Sequence, residues 1–201
     1  MTAEGVVGAV LVGGRSRRMG FPKERAVLAD GRTMLDAVLT ALDACCSKVV
    51  IVGGPTEKDA PNQTMKRRIQ DVHPGQGPLA GLEALFDSGL ARGYLVVGCD
   101  QPLLTAELLR RLLVGPEHKA RFFEDAGTGE PLDPLPGFFP LSWLPEVRRA
   151  LAEGRLSFRA LVANMEADWV PIAEPELQLL ASIDTPAALA ALGTLRRPAG
   201  D

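Results

Sequence analysis

Five cations fall within eleven residues near the start of the chain: Arg15, Arg17, Arg18, Lys23 and Arg25, opposed only by Glu24. They follow Gly13-Gly14 and bracket Gly20. Glycine lets backbone N–H groups come close to an anion and line up as a cradle. Arginine forks hold phosphate oxygens bidentately, and lysine serves as a point charge. The stretch therefore reads as a polyphosphate grip; a solvated basic loop is the competing reading. It is not the G-x-x-x-x-G-K-[ST] loop, because Phe21-Pro22 separates Gly20 from Lys23, and it is not G-x-G-x-x-G. Asp100, in Gly98-Cys99-Asp100-Gln101-Pro102, ends an apolar run. There a carboxylate is a natural Mg²⁺ ligand beside phosphates, or else an ordinary turn aspartate. The loop from Pro74 to Gly81 enters a helix whose first N–H groups are free for a ligand, or else is an ordinary loop with a helix-start proline. Asp184, in Ser182-Ile183-Asp184-Thr185-Pro186, either caps the last helix or reaches a metal. Local propensity favours the cap.

These residues need elements to carry them. Val6–Val12, Lys48–Val52 and Tyr94–Cys99 are continuous apolar runs, the pattern of strands buried on both faces. Between and after them, 33–46, 78–86 and 105–114 carry apolar residues at helical spacing. Alternating strands and helices imply an α/β sheet with crossover connections. Such sheets bind ligands at the carboxyl ends of their strands, where Gly13-Gly14 and Asp100 lie. Further on, 120–123, 136–140 and 169–172 read as short strands. Segments 144–153, 157–164 and 185–192 read as helices, the last with Pro186 in its first turn.

Composition narrows the class. A chain of 201 residues with 46% hydrophobic content can bury a core without staples. A net charge of -3 gives no footprint for nucleic acid or an anionic membrane. Three cysteines in no metal-binding spacing, and two histidines, argue against zinc and for a reducing, cytoplasmic compartment. The first residues lack the basic start of a signal peptide. No run is long enough for a transmembrane helix. Cys45-Cys46, expected on a helix face, and Trp143 and Trp169 read as packing residues. His73 and His118 have no partner in sequence for a catalytic triad.

Taken in order, L-x-G-G-x-S-x-R-M-G-x-x-K, G-P-L-A-G-L, C-D-x-P and I-D-T-P resemble the molybdenum cofactor guanylyltransferases, from Val6 to Leu192. The first motif marks the wider nucleotidyltransferase superfamily; G-P-L-A-G favours the guanylyl member. The resemblance implies a single α/β domain over 1–201, a three-layer α/β/α sandwich with a mostly parallel Rossmann-like sheet of the nucleotide-diphospho-sugar transferase type. Its nucleotide-binding half would span about 1–115 and its pterin-acceptor half about 116–195. It implies that Leu11, Val12, Gly13 and Gly14 hold the nucleotide and that Arg18 and Lys23 neutralise the triphosphate. Gly77, Pro78, Leu79, Ala80 and Gly81 would line the guanine pocket, and Asp71 would sit at the nucleotide. Asp100 would bind Mg²⁺, with Asp184 as a second metal ligand in place of the family's common asparagine. The family also often has asparagine at the end of the second strand, where this chain has Val52-Gly53. The implied reaction joins GMP from GTP to the phosphate of molybdopterin or the molybdenum cofactor. Molybdoenzyme chaperones or other cofactor-biosynthesis proteins are the further partners it implies. A CTP-dependent cytidylyltransferase or another small-molecule nucleotidyltransferase is the alternative within enzymes. A non-catalytic nucleotide-binding adaptor is the alternative outside them.

Overall fold

The computed structural model describes residues 3–13, 23–54, 66–70 and 77–192. Its frame follows from the two-residue period of the apolar runs. In β1 (Ala3–Val12), Val6, Val10 and Val12 face one side, while Val7 and Ala9 face the other. β2 (Cys46–Gly53) divides Val49 and Ile51 from Val50 and Val52, and β4 (Gly93–Gly98) divides Leu95 and Val97 from Tyr94 and Val96. Strands that are apolar on both faces must be covered on both faces. α1 (Met34–Asp43) and α3 (Ala106–Arg111) cover the first, with Leu35, Val38, Leu42, Leu108 and Leu109. α2 (Pro78–Asp87), α4 (Leu144–Ala152) and α5 (Phe158–Val162) cover the second, with Leu82, Phe86, Val147, Ala150 and Leu161. The result is the expected three-layer sandwich.

Among the described residues the sheet has seven strands, adding β3 (Arg68–Ile69), β5 (Ala120–Asp125), β6 (Gly137–Pro140) and β7 (Ala167–Ile172). Their order is β3-β2-β1-β4-β6-β5-β7. β6 runs antiparallel to both of its neighbours, β4 and β5, and the other pairings are parallel. The chain steps outward from β1 to β2 and β3, then returns to pair β4 on the other side of β1. The crevice between β1 and β4 is therefore the point where the winding reverses, and ligands of such sheets bind there.

Most expected elements form within a residue or two of their expected bounds. The helix expected over 33–46 is shorter. Thr33 caps it in a reciprocal box with Asp36, and it ends at Asp43. Cys46 is then the first residue of β2, paired with Ala3, rather than a residue on a helix face; both thiols are still buried. β3 and the single turn α6 (Glu174–Leu177) are too short to leave a periodic signal. α7 (Pro186–Leu192) closes the described chain. Trp143 is buried against Phe122 and Phe139, and Trp169 packs on Phe122, as packing residues should.

A candidate active site at the carboxyl ends of three parallel strands

Three adjacent parallel strands, β2, β1 and β4, end at Gly53, Val12 and Gly98. A cleft of about 670 Å³ opens over these ends. Its floor is Leu11, Val12 and Gly13 from β1, Val52 and Gly53 from β2, and Gly98, Cys99 and Asp100 from β4. One wall is the start of α2, through Gly77, Pro78 and Gly81; Lys23 and Leu135 complete the lining.

Small residues make the floor. Gly53 has φ +78°, and a Cβ there would strike the Val12 carbonyl oxygen. That position accepts neither an asparagine nor any other side chain without strain. Its carbonyl instead receives a hydrogen bond from Arg68 Nη1 at 2.7 Å. Gly98 is small for a different reason: an added Cβ would lie 2.5 Å from Asp100 Oδ1. The missing side chain is the space in which the carboxylate sits. At α2, Gly77 is the N-cap with φ +78°, no side chain caps the helix, and Pro78 has no N–H to give. Leu79 and Ala80 turn into the core at 0% and 1% exposure, so only their backbone can serve a ligand.

Lys23 lies on a short 3₁₀ turn, Lys23–Arg25. Its ammonium sits 3.4 Å from Asp100 Oδ2 and donates a hydrogen bond to Asp184 Oδ1. Asp184 is 84 residues beyond Asp100 in sequence. It arrives because Ile183 N–H donates to the Asp100 carbonyl at 2.8 Å. It does not cap α7. Thr185 Oγ1 takes the Ala188 N–H at 3.1 Å, leaving the Asp184 carboxylate to Lys23. Burial alone would lower the Lys23 pKa, but the Asp184 hydrogen bond and the charges of Asp100 and Asp184 outweigh it and hold the ammonium above its ordinary value. Burial lifts the Asp100 carboxyl above its ordinary value, partly opposed by Lys23. Cys99, beside it, is pushed up to about 12 by burial and so is a neutral thiol.

The structure thus brings Leu11, Val12, Gly13, Lys23, Gly77, Pro78, Gly81 and Asp100 to one cleft, with Asp184 joined to it through Lys23. Gly14, Arg18 and Asp71 lie outside the described residues. Gly53, Gly98 and Leu135 line the cleft without having been singled out as ligand contacts. The glycines ending apolar runs were the signal that pointed to the first two; Leu135 had none. A cation already stands between the two carboxylates, in the form of the lysine ammonium. Two carboxylates are too few to enclose a metal, and no larger cluster of metal-binding side chains occurs among the described residues. They do suit a hard divalent ion that completes its shell with phosphate oxygens and water.

A model of the MobA-like NTP transferase domain matches residues 8–185. The molybdenum cofactor guanylyltransferase of Xanthomonas euvesicatoria is 33% identical over 187 residues, 89% of each chain. The probable molybdenum cofactor guanylyltransferase of Mycobacterium avium is 33% identical over 202 residues, covering 95% of this chain and 96% of that one. Among solved structures, molybdopterin-guanine dinucleotide biosynthesis protein A from Archaeoglobus fulgidus superposes with a TM-score of 0.75 at 25% identity. That superposition covers 94% of this chain and 97% of the other.

Proposed function

The chain belongs to the family of MobA-like NTP transferase domains, and from that premise we propose that it transfers GMP from GTP to the phosphate of molybdopterin or the molybdenum cofactor, releasing pyrophosphate. The observation that carries the reading is the cleft at the reversal point of the sheet, with Lys23 drawn between Asp100 and Asp184 at its edge. The nucleotide lies across Leu11–Gly13 with its base against the start of α2, in the half of the chain up to about residue 115. The acceptor enters from the half built by about 116–195, past Leu135.

An acceptor phosphate oxygen attacks the α-phosphorus of GTP, the bond to the β-phosphate oxygen breaks, and pyrophosphate carries away the electron pair. The attacking monoester is already anionic, so no strong base is required; the difficulty is bringing two anions together. The Lys23 ammonium, raised in pKa and on a flexible stem, neutralises phosphate charge when it leaves the carboxylates. Arg18 is assigned the same task. Asp100 and Asp184 are then free to hold Mg²⁺, which supplies electrophilic screening of the phosphates when bound. The family resemblance assigns Asp71 to the nucleotide as well. Three free buried thiols fit a reducing cytoplasm, and no helix among the described residues is long and apolar enough to cross a membrane.

The test is incubation with each nucleoside triphosphate, Mg²⁺ and the pterin acceptor, followed by pyrophosphate release and product mass. A guanine dinucleotide from GTP is expected. A product from CTP in its place would reassign the base, and nucleotide binding without any product would leave only an adaptor.

A further inference from the structure

Gln101 follows Asp100 and is 3% exposed. Its amide reaches three separate parts of the chain. Oε1 accepts the Gly98 N–H at 3.3 Å, at the end of β4. Nε2 donates to the Leu135 carbonyl at 2.9 Å and to the Leu180 carbonyl at 3.2 Å. Leu135 lines the cleft from the loop that precedes β6, and Leu180 stands four residues before Asp184. One planar group therefore joins the strand end that carries Asp100, the loop that brings Leu135 to the cleft, and the segment that delivers the second carboxylate. Neither carbonyl lies in a strand, so no ladder hydrogen bond holds either one in register with β4.

We propose that Gln101 is a positioning residue that fixes the Leu135 loop and the Asp184 segment relative to Asp100, and so sets the placement of the acceptor phosphate rather than of GTP. The proposal rests on the transferase reading above. GTP is held chiefly by the β1 end and the α2 start, which Gln101 does not touch, whereas the acceptor depends on Leu135 and the carboxylate pair. A fixed amide is suited to this task. It presents an acceptor and two donors in one plane, and a buried carbonyl left without its donor drives its segment to a new position or to water.

Two variants separate positioning from mere support. Gln101→Glu retains side-chain length and an acceptor for the Gly98 N–H but no longer donates to both carbonyls. Gln101→Met retains volume and removes every hydrogen bond. Both should lower kcat/KM for the acceptor by about ten- to a hundredfold, the scale of a small misplacement of reacting groups. The Kd for GTP, measured without acceptor, should stay within about twofold. Hydrogen exchange should quicken together in 132–136 and 178–184, while β1 and α1 keep wild-type protection. Wild-type kcat/KM and exchange in both folded variants would overturn the proposal. So would a fall in GTP affinity parallel to the fall in acceptor use, the pattern of a general support. Failure of the wild type to make any guanine dinucleotide would instead overturn the transferase reading, since the exchange measurement reads the tether without turnover.

Discussion

Charge and burial set what the single side chains of the cleft can do. Asp100 is held by desolvation in a site whose compensating cation is Lys23. Asp100→Ala should reduce transfer by about 10²–10³, as loss of one such electrostatic contact typically does, with little change in melting temperature because its side chain is 27% exposed to the cleft. Asp184→Asn keeps an oxygen for a metal but loses a charge. It should retain far more turnover than Asp184→Ala while raising the Mg²⁺ concentration needed for half-maximal rate. Equal loss in both would remove Asp184 from the metal site. Cys99 tests the electrostatics from the other direction. Its thiol is pushed up to about 12 against an ordinary value of 9.0. Between those values the folded state binds the proton that the unfolded state releases, so stability falls as pH rises from 9 towards 12, by about 1.4 kcal/mol per unit at most. Below pH 9 the shift has no effect on stability. Because Cys45, Cys46 and Cys99 are all buried, native protein at pH 8 should take up almost no thiol reagent, and denatured protein should label at all three sites.

Among the elements, the strand ends carry the site because they stop in glycine. Gly98 closes β4, and its missing Cβ leaves room for the Asp100 carboxylate and, 3.5 Å away, the Gln101 amide oxygen. Gly98→Ala needs no unusual φ, so β4 should still form and melting should shift little. The methyl group displaces the carboxylate, and kcat should fall by about tenfold or more. Gly53 is different, because its φ of +78° places the strain in the backbone. Gly53→Ala should cost about 1–3 kcal/mol of stability by denaturant unfolding. If Gly53→Ala were neutral to stability and Gly98→Ala neutral to rate, the close packing of the floor would have no functional meaning.

For the molecule as a whole, the three layers make a rigid frame with the cleft at one edge, and bound ligand stabilises that frame by mass action. GTP with Mg²⁺ at about a hundred times its Kd should add about 2.7 kcal/mol and raise the melting temperature. ATP should do so much less. A pocket built to hydrogen-bond the guanine edge leaves donors or acceptors unpaired when that edge changes. The Val52-Gly53 end of β2 offers no side-chain amide for the base, so the proposed reading assigns the discrimination to backbone groups of β1 and α2. Equal shifts with GTP, ATP and CTP would contradict guanine selection and leave nucleotidyl transfer standing.

By itself the sequence determined the layers and the edge of the sheet at which the cleft opens. Period-two apolar runs ending in glycine, alternating with helical stripes, admit few arrangements other than an α/β sandwich with its ligands at the strand ends. The motifs around Gly13, Gly77 and Asp100 marked that edge because they are contiguous in the chain. Relations between distant segments were settled only in three dimensions. Asp184 and Thr185 are equivalent as caps in local terms, and the choice fell to Thr185 because Lys23, 161 residues away, draws the aspartate to itself. The Cys45-Cys46 pair carried no signal of where the helix stops, since pairing of Cys46 with Ala3 outweighs its helical neighbours. Gln101 carries no local signal between Asp100 and Pro102. Its role depends on the Leu135 and Leu180 carbonyls meeting at one amide, and only packing against the remainder of the chain brings them there.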